Sequence, residues 1–113
     1  MRKSARIASL ASAWIAMACS DAGEKTAVSG LAARGEHYYQ NVCIACHNGD
    51  PGEEGTLGPA VAGASLELLE AKMLRGEYPT GYTPKRRTQA MPRFEYLAPE
   101  IPALAAYLDA PKP

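Results

Sequence analysis

Apolar and polar positions repeat at the helical period in three places, and nowhere alternate at period two for long enough to argue a strand. Between about Leu31 and Cys46, the residues Gly35, Tyr39 and Cys43 recur every four positions and so share one face. A second helix is expected from Ser65, a side chain suited to an N-cap. It carries Leu66, Leu69, Met73 and Leu74 and stops at Gly76. A third is expected from about Pro99, whose fixed φ suits a first turn, with Glu100 favoured there by the helix dipole. Its stripe is Ile101, Leu104, Ala105 and Leu108, with Tyr107 beside it, and Pro102 falls early enough to cost no intrahelical hydrogen bond. No internal repeat interrupts the pattern. The expectation is an all-α domain of three main helices.

Ahead of these helices, three positive charges (Arg2, Lys3, Arg6) precede an uncharged, mostly apolar run from Ile7 to Ala18. That pattern reads as a secretory signal peptide over residues 1–18, and the run is too short for the roughly 20 residues that span a bilayer. Ala16-Met17-Ala18 suits ordinary signal peptidase, while the same residues followed by Cys19 resemble a bacterial lipobox, with Met17 a poor fit. Both outcomes stay open, so the membrane enters only through lipidation of Cys19. Residues 19–30 show no apolar periodicity and read as a flexible tether, leaving 31–113 as one domain. The expected place of work is the periplasm, or at least outside the cytoplasmic membrane. Without the three leader charges the balance is 9 basic against 12 acidic residues, which argues against a nucleic-acid partner.

The stretch VCIACHN, residues 42–48, sets Cys43 and Cys46 three apart with His47 against the second. A disulfide framework needs several pairs, and only one remains after the leader. A zinc site needs about four ligands, for which only Cys19 and His37 are left. A redox CxxC of thioredoxin type expects a strand before it, and none is predicted. CxxCH is the attachment signature for c-type haem: two thiols one helical turn apart each bond a vinyl group, and the adjacent histidine is aimed at the iron. One covalent haem c would also supply much of the core that so small a domain lacks.

With those residues in place, 31–110 resemble a class I c-type cytochrome. The segment GxxxYxxxCxxCH from Gly35 to His47 is similar to the family's opening signature, and in the family its glycine and aromatic pack on an aromatic of the last helix, here Tyr107. LGP at 57–59 resembles the loop whose proline carbonyl accepts a hydrogen bond from the proximal histidine, which implies that role for Pro59. MP at 91–92 resembles the distal methionine motif and implies Met91 as sixth iron ligand. Ala98 departs from the family, which often places a serine or threonine cap there.

Met73 is the rival methionine, but it sits in an apolar helical stripe that suits core packing, whereas Met91 follows a polar loop and precedes a proline. His37 is expected to be an exposed helix residue. Histidine and methionine together close both axial positions and raise the reduction potential, so the resemblance implies an electron-transfer protein rather than an enzyme. Its expected partners are redox proteins, with a periplasmic dehydrogenase as donor and an oxidase or reductase as acceptor. The alternatives are a haem subunit of a periplasmic dehydrogenase or oxidase complex, or a haem enzyme or gas sensor with a labile sixth ligand.

Residues 50–70 carry only acidic charges and 72–93 mostly basic ones, so one flank of the haem is expected to be acidic and the other basic. Lys85, Arg86 and Arg87 either steer an acidic partner or form a solvated face, with Arg86 or Arg87 available to a haem propionate. Tyr78 or Tyr82 either hydrogen-bonds a propionate or covers the haem.

Overall fold

The structure, a computed structural model, describes residues 21–110; the signal peptide read over 1–18, with Cys19, lies outside them. Three helices carry the fold, α1 (Asp21–Val42), α2 (Leu66–Glu70) and α3 (Ile101–Asp109), and no strand forms among the described residues. No described helix is long and apolar enough to cross a membrane.

The first helix begins well before Leu31, so the tether expected over 19–30 is helical from Asp21 onward. Nucleation is the unfavourable step in helix formation, and residues such as Ala22, Glu24, Lys25 and Ala27 extend an existing helix at little cost. The extension has no apolar stripe and includes Gly23 and Gly30, which is why the hydrophobic pattern does not reveal it.

Helices α1 and α3 cross at Gly35. A Cβ there would fall inside van der Waals contact with the carbonyl of Ala103 and within 2.9 Å of the Tyr107 Cβ. Only a glycine lets the two backbones meet this closely. One turn further on, Tyr39 is 1% exposed, and its ring lies 5.4 Å from that of Tyr107 at a 52° tilt. The aromatic pairing implied for Gly35, Tyr39 and Tyr107 is therefore present.

A 3-10 turn, Glu95–Glu100, leads into α3, and no side chain caps that helix. Glu100, expected to serve the helix dipole, instead accepts two hydrogen bonds from Arg34 of α1, at 2.7 Å from Nε and 2.6 Å from Nη2. This fork-to-carboxylate geometry clamps the ends of the crossing and holds the Glu100 carboxyl below its usual range. The buried core joins Tyr39, Met73, Leu97, Ile101, Leu104 and Leu108, so Met73 packs where its apolar stripe places it.

The second helix opens as the sequence indicates, with the Ser65 Oγ accepting from the Leu68 N–H at 3.1 Å. It continues as a single wide π turn, Ala71–Arg75, and stops at Gly76, whose φ of +67° is a conformation glycine adopts without strain.

Candidate haem site

At the end of α1 the chain tightens into a 3-10 turn, Cys43–Ala45. The N–H groups of Cys46 and His47 both donate to the Cys43 carbonyl, at 3.2 and 2.9 Å. The CxxCH segment is therefore one closed turn, which puts the two thiols on the same side. Burial pushes the Cys43 thiol up to about 11, opposite to the lowered values that make cysteines reactive redox thiols.

The Leu57 and Gly58 N–H groups donate to the Cys46 carbonyl, at 3.2 and 2.9 Å, which seats the following loop directly on that turn. Pro59 is thereby brought to His47, with 2.8 Å between His47 Nδ1 and the Pro59 carbonyl oxygen. A carbonyl can only accept, so Nδ1 is the donor, and in the neutral ring this leaves the lone pair on Nε2. Beside the ring, Gly58 is buried, and a Cβ there would collide with the imidazole itself. The loop thus fixes the tautomer by one hydrogen bond and the ring position by leaving out a side chain.

A cavity of about 540 Å³ opens in front of these groups, within the range of roughly 300–1,000 Å³ typical of cofactor sites. Cys43, Cys46, His47 and Pro59 line it from one segment, Leu68, Leu69 and Met73 from α2 and its π turn, and Met91 and Phe94 from the chain before α3. Leu97, Leu104 and Leu108 close it from the core. The five residues singled out by the sequence, Cys43, Cys46, His47, Pro59 and Met91, therefore meet at one cavity. Met91 is half-buried, and the Phe94 N–H holds its segment to the Met73 carbonyl at 2.7 Å. His37 is exposed on α1 and does not line the cavity.

The two charged flanks are not separate faces. Arg86 donates to Glu54 at 2.5 Å and to the Gly55 carbonyl at 3.0 Å, and Lys85 Nζ donates to the Ala60 carbonyl at 2.8 Å. The segment ahead of Met91 is thus laced to the segment behind His47. Arg86 holds the Glu54 carboxyl below its usual range by that hydrogen bond, and its guanidinium is already engaged within the protein.

One residue of the site escapes a reading by charge runs. Lys72 is only 9% exposed and lines the cavity, with Nζ 4.3 Å from the centre of the Tyr78 ring. Its spacing from Leu68 and Leu69 is the signal that finds it, since 68, 69, 72 and 73 lie on one helical face.

A haem fits this donor set. Two thiols, an imidazole and a thioether sulfur share one largely apolar cavity, and the glycine at 58 leaves room for the imidazole that the Pro59 carbonyl orients. Comparison with known proteins finds no match among curated proteins and none among solved structures. A family model does match: residues 30–108 fit the one described as cytochrome c oxidase, cbb3-type, subunit III. With most of the chain inside that match, and with CxxCH at the end of α1 facing the cavity that Met91 also lines, the protein belongs to this family of class I c-type cytochromes.

Proposed function

We propose that the protein is a single-electron carrier working outside the cytoplasmic membrane, with one haem c that Cys43 and Cys46 would bond and His47 and Met91 would ligate. Membership of a cytochrome c family carries haem-based electron transfer; the ligand set, the covalent attachment and the location are this reading's own. The observation that supports it is the convergence of Cys43, Cys46, His47 and Met91 on one cavity. When bound, the haem supplies a reversible one-electron iron couple. The chain's own residues do the rest. Pro59 orients His47 through Nδ1 so that Nε2 would be free to ligate, Met91 would supply the second ligand, and the leucines of α2 and α3 line the cavity and exclude water. An apolar surround and a methionine ligand both favour a high reduction potential. With His47 and Met91 both ligating, no open position would be left on the iron for a substrate.

The leader over 1–18 supports export to the periplasm, where c-type haem is carried, and Cys19 is the site at which a lipid tether would be added. Partners on this reading are a periplasmic dehydrogenase as donor and an oxidase or reductase as acceptor. Of the run 85–87, Arg87 is exposed and has no ion pair among the described residues, which leaves it to steer them. A second reading, the haem subunit of a lasting oxidase complex, is favoured by the description of the matching family, which names an oxidase subunit. Copurification of a partner from native membranes separates the two.

The visible spectrum of the matured protein with carbon monoxide tests the carrier reading. A reduced form that ignores carbon monoxide, and that begins to bind it in Met91→Ala, is the expected result. Ready binding by the unaltered protein would move the function to a haem enzyme or gas sensor.

A further inference from the structure

Lys72 is a cation on the apolar face of α2 and its π turn, where Leu68, Leu69 and Met73 also line the cavity. Its stem is packed away, yet its ammonium is not sealed in the core and stays accessible at the open cavity, where a charged group is best matched by an anion. Among the described residues the carboxylates that form ion pairs are taken by Arg34, Arg75, Arg86 and Arg93, and Lys72 has none. Its one neighbour of note is the face of Tyr78, which attracts a cation but accepts none of its three protons in the way an oxygen would. The other two cations at the cavity, Lys85 and Arg86, are spent on the loop behind His47. Tyr82 stacks on Tyr78, with ring centres 5.4 Å apart and planes within 10°, and both rings line the same cavity. Neither hydroxyl has a hydrogen-bond partner among the described residues. An ammonium and two phenol groups are thus gathered at a cavity wall with no anion to receive them.

The geometry points to a carboxylate seat: we propose that Lys72, flanked by Tyr78 and Tyr82, binds a haem propionate. This rests on the haem reading above. A c-type porphyrin brings two carboxylates, on the edge away from the vinyl groups that the thiols take, and these are the only anions the group carries into the cavity. The ammonium supplies charge and up to three donors, and the tyrosines supply hydroxyl donors. Neutralising a propionate near the iron removes a negative charge that would otherwise favour the ferric state, so Lys72 also raises the reduction potential. It acts through the propionate and is a positioning and tuning residue, not an axial ligand.

Proton NMR of the reduced, diamagnetic native protein tests this directly. A nuclear Overhauser contact between the Lys72 ε-methylene and a propionate methylene is expected, and its absence in a protein with fully assigned haem resonances overturns the proposal. Pyridine haemochrome analysis of the same sample separates the two levels: no covalent haem overturns the function and this seat together, whereas covalent haem without the contact overturns the seat alone. Lys72→Met is expected to lower the midpoint potential and shift the propionate bending band in the resonance Raman spectrum, with Lys72→Arg restoring both. An unchanged potential and band in Lys72→Met counts against the proposal. Should Lys72→Met not mature, the native NMR contact decides.

Discussion

Replacing Gly35 by alanine sets two effects of known size against each other. In a helix interior the exchange gains about 1 kcal/mol of intrinsic propensity. Against this, the new methyl meets the carbonyl of Ala103 and the Cβ of Tyr107 on α3. None of these atoms can move aside by changing a rotamer, so α1 and α3 must separate. Overpacking that shifts backbone costs roughly 1–3 kcal/mol, and rigid contacts put this site at the upper end. The balance is a net loss of about 2 kcal/mol. For a domain of this size, at roughly 4–8 °C per kcal/mol, the midpoint should fall by about 8–16 °C. Gly30 on the same helix is the control, since a Cβ there meets nothing within 4 Å. Gly30→Ala should therefore gain up to about 1 kcal/mol. Thermal and guanidinium unfolding of the oxidised, matured protein, followed by far-ultraviolet circular dichroism, reads both variants. A Gly35→Ala protein that melts at or above the parent would refute the close crossing.

Gly58→Ala places a methyl in the His47 ring and should alter the visible spectrum while sparing helical content; an unchanged spectrum contradicts the packing described. Tyr39→Phe removes the hydroxyl, pushed up to about 12 by burial, that donates to the Asn48 carbonyl at 2.5 Å. A loss of about 1 kcal/mol in unfolding free energy is expected, and no loss would mean that water replaces the bond at no cost. Glu100 sits below its ordinary value of 4.5, first through the hydrogen bond from Arg34. A carboxyl with a lowered folded pKa contributes stability above its unfolded pKa and loses it as pH falls through the folded one. Glu100→Gln should therefore be less stable near neutrality and flatter against pH below 4.5. Urea midpoints that run parallel to the parent across that window would exclude the linkage.

Much of the fold was legible because the cues were local. Ser65 caps, Gly76 stops, and the stripe of Ile101, Leu104 and Leu108 needs only a period to be seen. The site was legible for a different reason: CxxCH is one turn of helix, and its chemistry depends on that spacing alone. The convergence of Pro59 and Met91 on it came from family resemblance, since the hydrogen bonds that seat the loop on Cys46 are main-chain bonds with no side-chain signature. The remaining departures are long-range pairings. Glu100 looked like a dipole partner until Arg34, far away in sequence, reached it across the helix crossing. Acidic and basic runs looked like opposite flanks until Glu54 met Arg86. Lys72 read as part of a basic run because charge counting ignores which face of a helix a residue occupies.

The stacked rings of Tyr78 and Tyr82 close the neck of a small loop. Between them Pro79, Thr80 and Gly81 make a tight turn, with the Tyr82 N–H donating to the Pro79 carbonyl at 3.0 Å and Gly81 at a φ of +81°. Thr80 and Gly81 are exposed, and a Cβ on Gly81 meets nothing within 4 Å. Lys85 and Arg86 then pin the chain before it reaches Met91. Length added at this tip is taken up above the neck and never reaches the pinned segment, and doubling a flexible loop costs only about 0.6 kcal/mol. The tip is therefore a natural attachment point for a fused reporter or a second domain, where this cytochrome can be wired to a chosen partner without disturbing the cavity that His47 and Met91 line.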